Sequence, residues 1–377
     1  MSSSWGNRIR LTIFGQSHSA AVGAVIEGLP AGFPVDMEKL ARFMKRRAPG
    51  QSSLATPRKE ADTPEFLSGI TPGADGAPSR LCGAPLSLII RNTNVRPGDY
   101  SEFSVTPRPG HADYTAGVKY GGFQDASGGG HFSARLTAPL CAAGGICIQI
   151  LEAQGIFIGA HIKSVGGVQD RPFDPVGVNK SDFDSRVFAP LTVLDPEAGR
   201  KMTEKIEAAR MDQDSVGGVV ECAAAGVPAG YGDPLFDNVE SRVASIMFAI
   251  PAVKGVEFGS GFSAAAMRGS DHNDAFVAAP FSDKEKGAVR TAANNHGGVL
   301  GGITSGMPIL FRVAFKPTPS IGKTQRTLNL QTGQESKLNI KGRHDPCVVT
   351  RAVPVVEAAL AVALCDLILP GNYTPIQ

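Results

Sequence analysis

The sequence has little net charge and no long apolar run, and each shortage excludes a class of partner. Its 37 Lys and Arg residues nearly balance 35 Asp and Glu residues, leaving +2, so no overall field favours nucleic acid or an acidic membrane. The longest apolar candidate, residues 353–369, is interrupted by Pro354, Glu357 and Asp366 and is too short to span a bilayer. We therefore expect neither a nucleic-acid partner nor a membrane span, and any anion site must be local.

Cysteines are few, and none belongs to a CxxC pair. The six stand apart at positions 82, 141, 147, 222, 347 and 365, in apolar or small-residue surroundings, a pattern typical of reduced, buried thiols in a cytoplasm. Arg8 and Arg10 interrupt the N-terminal segment, which therefore lacks the apolar core of a secretory signal. The sequence predicts a cytoplasmic protein.

The commonest catalytic motifs are also missing. No GxxxxGK[ST] phosphate loop, GxGxxG dinucleotide turn, HExxH zinc helix or GxSxG serine elbow occurs. Metal catalysis and serine nucleophiles therefore have no support, and we predict no metal site.

Glycine and proline are abundant. Together they make up 72 residues, 45 Gly and 27 Pro, of 377, well above the usual share of about 12%. They do not repeat as G-X-Y, and 42% of the residues are hydrophobic against 19% charged. Collagen, long helical bundles and disorder are thereby excluded, and a sizeable core can be buried.

Hydrophobic periodicity predicts a mixture of strands and helices. We predict strands at 10–15, 21–26, 86–91, 157–162, 217–224 and 309–315. We predict helices at 37–47, after Ser133, at 196–211 after Asp195, after Asp237, and from Asp345 as N-cap to just before Pro370. Residues 48–82 are expected to form a long ordered loop, and 107–120 a turn-rich segment. No linker divides the chain, so we expect a single domain over residues 1–377.

Five segments could serve an enzyme, and each also has a purely structural interpretation. Ser17 and His18 lie in a turn after a strand, where an imidazole can be a general acid or base or simply be solvated. In the segment Arg108-Pro-Gly-His111-Ala-Asp113, Asp113 could orient the imidazole or bond its own backbone.

The other three segments combine glycines with cations. Gly128–Gly130 before a helix start offers N–H groups to an anion, although glycines alone are weak evidence. Residues 294–306, followed by Lys316–Ser320, could let backbone approach a flat ligand or form tight sheet turns. In 341–347, Asp345 stands beside cations and an imidazole, or is only an N-cap. The repeated pairing of Arg or Lys with His in Gly/Pro loops favours a small polyanionic substrate.

Taken in order, these segments resemble chorismate synthases over nearly the whole chain. The motifs that carry the resemblance are Ser17-His18, Arg46-Arg47 with Pro49-Gly50-Gln51, Arg108 to Asp113, Lys119-Tyr-Gly121, Gly128 to Arg135, Pro251 to Gly255, His296-Gly-Gly, Lys316-Pro-Thr318, and Gly342 to Cys347 with Arg351 to Pro354 and Glu357.

The resemblance implies a lyase that converts 5-enolpyruvylshikimate 3-phosphate into chorismate and phosphate by trans-1,4-elimination, with reduced FMN and no net redox change. It implies an α+β fold, a β-α-β sandwich with helices between antiparallel sheets, assembled as a homotetramer. Gly/Pro-rich turns agree with antiparallel strands.

The resemblance also implies roles for individual residues. His18 would be a proton donor beside the phosphate, His111 would protonate the reduced flavin, and Asp345 would act near the flavin N5 with Ser17 and Ser133. The implied FMN-binding residues are His131, Phe132, Ser133, Gly301, Lys316, Pro317, Thr318, Pro319, Ser320 and Arg343. The implied substrate-binding residues are Arg47, Arg108, Arg135 and Arg343, with Arg46, Arg58 and Lys59 as supplements.

The sequence departs from the family pattern at five positions. The usual residues are Glu at 16, Arg at 53, Arg-Ser at 131–132 and Glu at 136, whereas this sequence has Gln16, Ser53, His131, Phe132 and Leu136. Two alternatives to the lyase therefore stay open. One is a weakened homologue that binds flavin or an anionic metabolite; the other is a flavin oxidoreductase that shares only the fold. Because no dinucleotide fingerprint is present, we expect a separate flavin reductase or a cellular pool to supply reduced FMN.

Overall fold

Two five-stranded antiparallel sheets form the outer layers of the computed structural model, which describes residues 3–50, 54, 61–74, 77–93, 103–184, 191–277, 289–340 and 345–369. The first sheet has the order β1-β2-β3-β8-β5. Its strands are β1 (Ser4–Trp5), β2 (Arg10–Gly15), β3 (Ala21–Glu27), β5 (Glu65–Ser68) and β8 (Leu86–Arg91). Three short strands that come between β3 and β8 along the chain form a separate three-stranded sheet. They are β4 (Pro34–Val35), β6 (Ile70–Thr71) and β7 (Ser79–Leu81).

The second sheet has the order β10-β9-β11-β17-β12. Its strands are β9 (Phe157–Val165), β10 (Val168–Gln169), β11 (Gly218–Ala225), β12 (Val253–Phe258) and β17 (Ile309–Phe315). Three further hairpins pair β13 (Phe276–Val277) with β14 (Arg290–Thr291), β15 (Val299–Leu300) with β16 (Ile303–Thr304), and β18 (Gln325–Leu328) with β19 (Glu335–Leu338).

Helices fill the space between the two large sheets. Among α1 (Met37–Arg47), α3 (Thr137–Ala153), α6 (Val239–Phe248) and α8 (Val349–Ile368), α3 packs on β3 and β8 while α8 packs on β9 and β11. The largest apolar cluster runs from Ile9 to Leu369 through both central helices. This arrangement confirms the predicted α+β sandwich. The remaining helices are α2 (Asp113–Tyr120), α4 (Lys180–Asp184), α5 (Pro196–Met211) and α7 (Gly269–His272).

The helix formed by residues 134–153 is long and apolar enough to cross a membrane, but 83% of that window is buried inside the fold. Burial against α8 and the first sheet accounts for its apolar character.

Several predicted elements are confirmed residue by residue. α1 and α5 have the predicted bounds, and Asp195 caps α5 by accepting from Glu197 N. In β17 the alternating residues Ile309, Phe311, Val313 and Phe315 are buried, as period-two patterning requires.

Other predictions were wrong. The predicted loop 48–82 contains β5, β6 and β7, and the predicted turn segment 107–120 contains α2. Ser133 caps a short 3₁₀ turn at 134–136 rather than the long helix, and Asn238 instead of Asp237 caps α6. Asp345 is not the cap of α8, which begins four residues later with Val348 at the N-cap position. The Asp345 carboxylate accepts a hydrogen bond from Arg351 instead.

Asp366 ties the N-terminus to the helical layer. Its Oδ1 accepts hydrogen bonds from the backbone N–H groups of residues 7–9 at 2.6–2.8 Å, and its Oδ2 pairs with Arg242. The Arg242 guanidinium lies 4.5 Å from the centroid of the Trp5 ring, and Trp5 is the only tryptophan. One buried carboxylate therefore connects four groups near a fluorescent reporter.

We expect Asp366→Ala to lower the free energy of unfolding by about 3 kcal/mol, because removing one partner leaves a partly buried cation and three N–H groups uncompensated. Urea unfolding followed by Trp5 fluorescence measures the change. Asp366→Asn, which keeps an acceptor oxygen, should cost less. Equal losses in the two variants would show that the three N–H bonds contribute nothing.

Candidate active site

The turn after β2 rests on the glycine segment 127–130. Ser17 N donates to Gly130 O at 3.1 Å, and Ser17 Oγ donates to Ser127 O at 3.1 Å while lying 3.0 Å from His18 Nδ1. Gly128 has φ +69°, and a Cβ there would lie 2.4 Å from His18 Cε1. A side chain at position 128 would therefore displace the His18 ring, and the positive φ also favours glycine there.

Asp113, the first residue of α2, holds both Arg108 and His111. Its Oδ1 lies 2.7 Å from Arg108 Nη2 and 2.7 Å from His111 Nδ1. Burial alone would raise the pKa of Asp113, but hydrogen bonds from Arg108 and His111 outweigh it and hold that pKa below its usual range. The carboxylate is therefore ionised at neutral pH.

This geometry also assigns the tautomer of His111. Nδ1 lies 3.1 Å from Arg108 Nη2 as well as 2.7 Å from the Asp113 oxygen. A guanidinium can only donate, and the shorter contact to a carboxylate requires a proton between the two atoms. We therefore assign the Nδ1 proton to the Asp113 bond, which leaves Nε2 as the atom for proton transfer.

Arg108 joins the His111 turn to the glycine segment and to the stretch after β17. It is 6% exposed, and its guanidinium donates to Gly128 O at 2.6 Å and to Ser320 Oγ at 3.4 Å. The guanidinium also lies 4.4 Å from the centroid of the Phe103 ring. These contacts fix one cation at the junction of three segments.

The stretch 316–320 lies against the same turn. Lys316 Nζ donates to Gly110 O, and burial together with the neighbouring charge of Lys254 lowers the pKa of Lys316. The carbonyl of Thr318 accepts from Ser215 Oγ at 2.7 Å. Thr318 Oγ1, however, is buried without a hydrogen-bond partner among the described residues. A hydroxyl so placed is suited to a polar atom of a bound ligand, since buried polar groups are normally paired.

Two further arginines meet at one carboxylate. Arg47 Nη1 and Arg135 Nη1 donate to the two oxygens of Asp62. Arg135 Nε also donates to Asn92 Oδ1 at 2.9 Å, and Asn92 Nδ2 donates to the carbonyls of Gln16 and Ser19 at 3.0 and 2.8 Å. The arginine pair is thereby connected to the turn that carries His18.

Asp345 enters the network through Arg351. Arg351 Nη1 donates to Asp345 Oδ2 at 3.2 Å, and Arg351 Nε donates to the carbonyl of Arg47 at 3.1 Å. Burial and the nearby charge of Arg47 lower the pKa of Arg351, so cations are in excess here. Arg343, Arg58 and Lys59 lie outside the described residues.

The 3₁₀ turns before α3 carry Ser133, His131 and Phe132. Ser133 Oγ accepts from Arg135 N at 3.1 Å, and His131 Nδ1 lies 3.2 Å from Gly15 O. Phe132 is 38% exposed and, with His111 and Asp113, lines a pocket of about 20 Å³. Phe132 thus contributes an apolar ring to the pocket that His111 also lines.

Two predicted cation or cofactor residues have described contacts with other parts of the fold. Gly301 is at the turn of the β15–β16 hairpin, whose Gly302 carbonyl accepts from Val239 N at the start of α6. Arg46 is paired with Glu357 at 2.6 and 2.9 Å, and Glu357 also accepts from Ala160 N. Arg46 is therefore committed to the core rather than to the site.

Two residues of the network were not predicted from the sequence, and a third was recognised without its partner. Asp62 and Asn92 gave no local signal, because each meets arginines distant in sequence. Arg351 belongs to a recognised motif, residues 351–354, but its pairing with Asp345, six residues earlier, was not predicted.

The donor set fits a flavin and an anionic substrate. The Thr318 hydroxyl and the cations Arg108 and Lys316 belong to segments that meet at the His111 turn, and the exposed Phe132 ring lines a pocket with His111. A second buried atom without a partner among the described residues, Gln124 Oε1, belongs to a residue that lines the pocket with Phe132.

The chain is similar to several proteins called chorismate synthase. A relative from Korarchaeum cryptofilum called chorismate synthase is 47% identical, with 97% of each chain covered. Another chorismate synthase, from Lancefieldella parvula, is 45% identical over 97% of this chain and 96% of its own. A crystal structure of a chorismate synthase matches with a TM-score of 0.74 and 29% identity, covering 97% of this chain and 93% of that one.

The sequence model of the family described as chorismate synthase matches residues 9–369. That match includes every segment of the described network from the His18 turn to α8. With the two relatives and the shared fold, it shows that this chain belongs to the chorismate synthase family.

Proposed function

We propose that the network around His18 and His111 carries out the trans-1,4-elimination that converts 5-enolpyruvylshikimate 3-phosphate into chorismate and phosphate. The chain is a lyase of the chorismate synthase family, which implies a small-molecule substrate and a reduced flavin. The observation that carries the proposal is the continuous contact path from Arg47 and Arg135 through Asn92 and the His18 turn to Arg108 and His111.

Cations in this path would bind the substrate. Two carboxylates and a phosphate give it about four negative charges at neutral pH, whereas the whole chain carries only +2. Arg47, Arg108, Arg135 and Arg343 are the proposed binding residues. Because the first three are held by carboxylates and carbonyls, their guanidinium groups are positioned before the substrate arrives, which lowers the cost of ordering.

The two histidines would move protons. His18, packed on Gly128 and 3.0 Å from Ser17 Oγ, would donate a proton to the departing phosphate, a poor leaving group. His111, with Nδ1 bonded to Asp113, would hold and release a proton at Nε2. Ser133 and Asp345 would help position the reacting groups.

We propose FMN as the flavin. When bound, the reduced flavin would serve as a transient electron source for C–O cleavage, with no net redox change over the reaction. The residues proposed to hold it are His131, Phe132, Ser133, Gly301, Lys316, Pro317, Thr318, Pro319, Ser320 and Arg343.

Phosphate release from the enolpyruvyl substrate, measured anaerobically with chemically reduced FMN, tests the function. We expect multiple turnovers. Tight flavin binding without product would instead indicate a weakened homologue, and one flavin oxidised per product would indicate an oxidoreductase.

We further propose that reduced FMN comes from a separate reductase or cellular pool, and that the chain works in the cytoplasm as a homotetramer and as a single domain over residues 1–377. The apolar cluster that spans Ile9 to Leu369 supports the single domain. NADPH oxidation by the purified protein with FMN would contradict the separate source.

Gly128→Ala should lower chorismate formation by about 10²-fold, because its Cβ would displace His18 and small misplacements of a catalytic group are costly. Gly122→Ala is the matched control, since Gly122 has φ +84° but nothing within 4 Å of its Cβ. Steady-state rates of both variants should differ sharply. Equal losses would show that backbone strain, and not the His18 contact, is responsible.

A further inference from the structure

Asp62 is a buried carboxylate without an assigned role in the reaction. Its side chain is 0% exposed, and its backbone has φ +50°, a left-handed conformation that Asp and Asn tolerate better than most residues. Each oxygen accepts from a different arginine, Arg47 and Arg135. The carboxylate thus bridges two side chains that are 88 positions apart.

The other contacts of the two arginines complete a fixed frame. Arg47 Nε donates to Thr137 Oγ1 at 3.2 Å and Nη2 to Ala134 O at 3.0 Å. Arg135 Nη2 donates to Arg91 O at 3.1 Å. Since a guanidinium is planar with its donors in fixed directions, these bonds determine which way each group presents itself.

The charge balance leaves the frame cationic. Two arginines and one carboxylate carry a net +1, and the adjoining Arg351–Asp345 pair adds none. Although burial would raise it, the charges of Arg47 and Arg135 hold the pKa of Asp62 below its usual range. The frame therefore stays ionised at neutral pH with one positive charge in excess.

We propose that Asp62 is a positioning residue that sets the orientation and spacing of Arg47 and Arg135 for an oxyanion of the substrate, a phosphate or a carboxylate. This inference rests on the proposed function, in which both arginines bind substrate. A positioning role differs from simple charge neutralisation. Removing the negative charge of Asp62 should weaken anion binding if Asp62 positions the arginines and strengthen it if Asp62 only neutralises them.

Asp62→Asn separates the two roles. Asn keeps the left-handed backbone and the side-chain shape, but its NH₂ group faces one guanidinium and can no longer accept from it. If Asp62 positions the arginines, KM for the enolpyruvyl substrate should rise about 10-fold, with a smaller effect on kcat, since a charge-assisted bond contributes about that factor. Inhibition by inorganic phosphate should weaken similarly.

An unchanged or lower KM, with tighter inhibition by phosphate, would overturn the inference, because an uncompensated +2 site would then attract anions more strongly. Arg47→Lys and Arg135→Lys show which proposal fails. If neither raises KM, the substrate role of the arginines is wrong. If both raise KM and Asp62→Asn does not, only the positioning role is wrong.

The chain provides a matched control and a milder variant. Arg46, one residue before Arg47 on α1, forms a comparable buried pair with Glu357 of α8. Glu357→Gln should therefore lower thermal stability without changing inhibition by phosphate. Thr137→Val removes the Arg47 Nε contact at 3.2 Å together with the bond from Thr137 Oγ1 to Ala134 O, leaves Asp62 in place, and should raise KM about 3-fold. An unchanged KM for that variant would also count against positioning, even if Asp62→Asn fails to fold.

Discussion

Replacing His111 by Ala is expected to lower kcat for chorismate formation by about 10² or more, because a positioned acid or base contributes about that factor. His111 Nδ1 is bonded to Asp113 at 2.7 Å, so its Nε2 is the atom that proton transfer requires. Rapid-quench measurement of chorismate at saturating substrate and reduced FMN gives the effect. His18→Ala should show a loss of similar size.

His272→Ala is the control for these variants. The His272 ring packs edge-to-face on His296 with 4.6 Å between centroids, and no described contact joins it to the His18 and His111 network. Its removal should leave turnover nearly unchanged. Near-normal turnover in both His111→Ala and His18→Ala would contradict the proposed roles.

Asp113→Asn is expected to reduce kcat by about 10² or more while leaving the shape of the turn intact. The amide NH₂ would face either Arg108 or His111, so one of them loses its acceptor and His111 loses the bond that selects its tautomer. Asp113→Glu should recover more activity than Asp113→Ala. Full activity of Asp113→Asn would show that the tautomer does not matter.

The same variant has a signed effect on acid stability. Because the pKa of Asp113 is lowered in the folded state, the carboxylate stabilises the fold above its unfolded value, about 3.9, and this contribution is lost as pH falls through the folded pKa. The difference in unfolding free energy between wild type and Asp113→Asn should therefore be full at pH 7 and shrink below about pH 4. Urea unfolding at pH 7 and below about pH 4 measures this difference in unfolding free energy. A difference that stays constant between the two pH values would contradict the ion pairing of Asp113.

Elements with strong local patterns were predictable. α5 is amphipathic and capped by Asp195, and β17 alternates strictly, so local sequence determined both. α2 was missed because Gly117 interrupts a short segment with few apolar residues, and Ala116 alone is buried. The first residue of α2, Asp113, accepts hydrogen bonds from Arg108 N and Nε, which the hydrophobic pattern does not show.

The network could be predicted only in part. Recognised motifs pointed to His18, Arg108 and His111, and the structure brings all three together. Asp62 could not be predicted, because its importance arises from contacts with Arg47 and Arg135, which only the folded chain brings together.

Two departures from the family pattern have a structural explanation. Leu136, where Glu is usual, packs into the largest apolar cluster. A buried apolar side chain therefore takes the place of a charged one. Gln16 takes part in the turn through its backbone, whose carbonyl accepts from Ser19 N and from Asn92 Nδ2. The turn that carries His18 therefore does not depend on an acidic side chain at position 16.

The number of chorismate molecules formed for each flavin oxidised is the most direct measurement of the proposed chemistry. It requires substrate, chemically reduced FMN and the protein under anaerobic conditions, with product and flavin absorbance recorded together. We predict many turnovers with the flavin still reduced at the end. Oxidation of one flavin per product, or flavin binding with no chorismate, would contradict the proposed elimination.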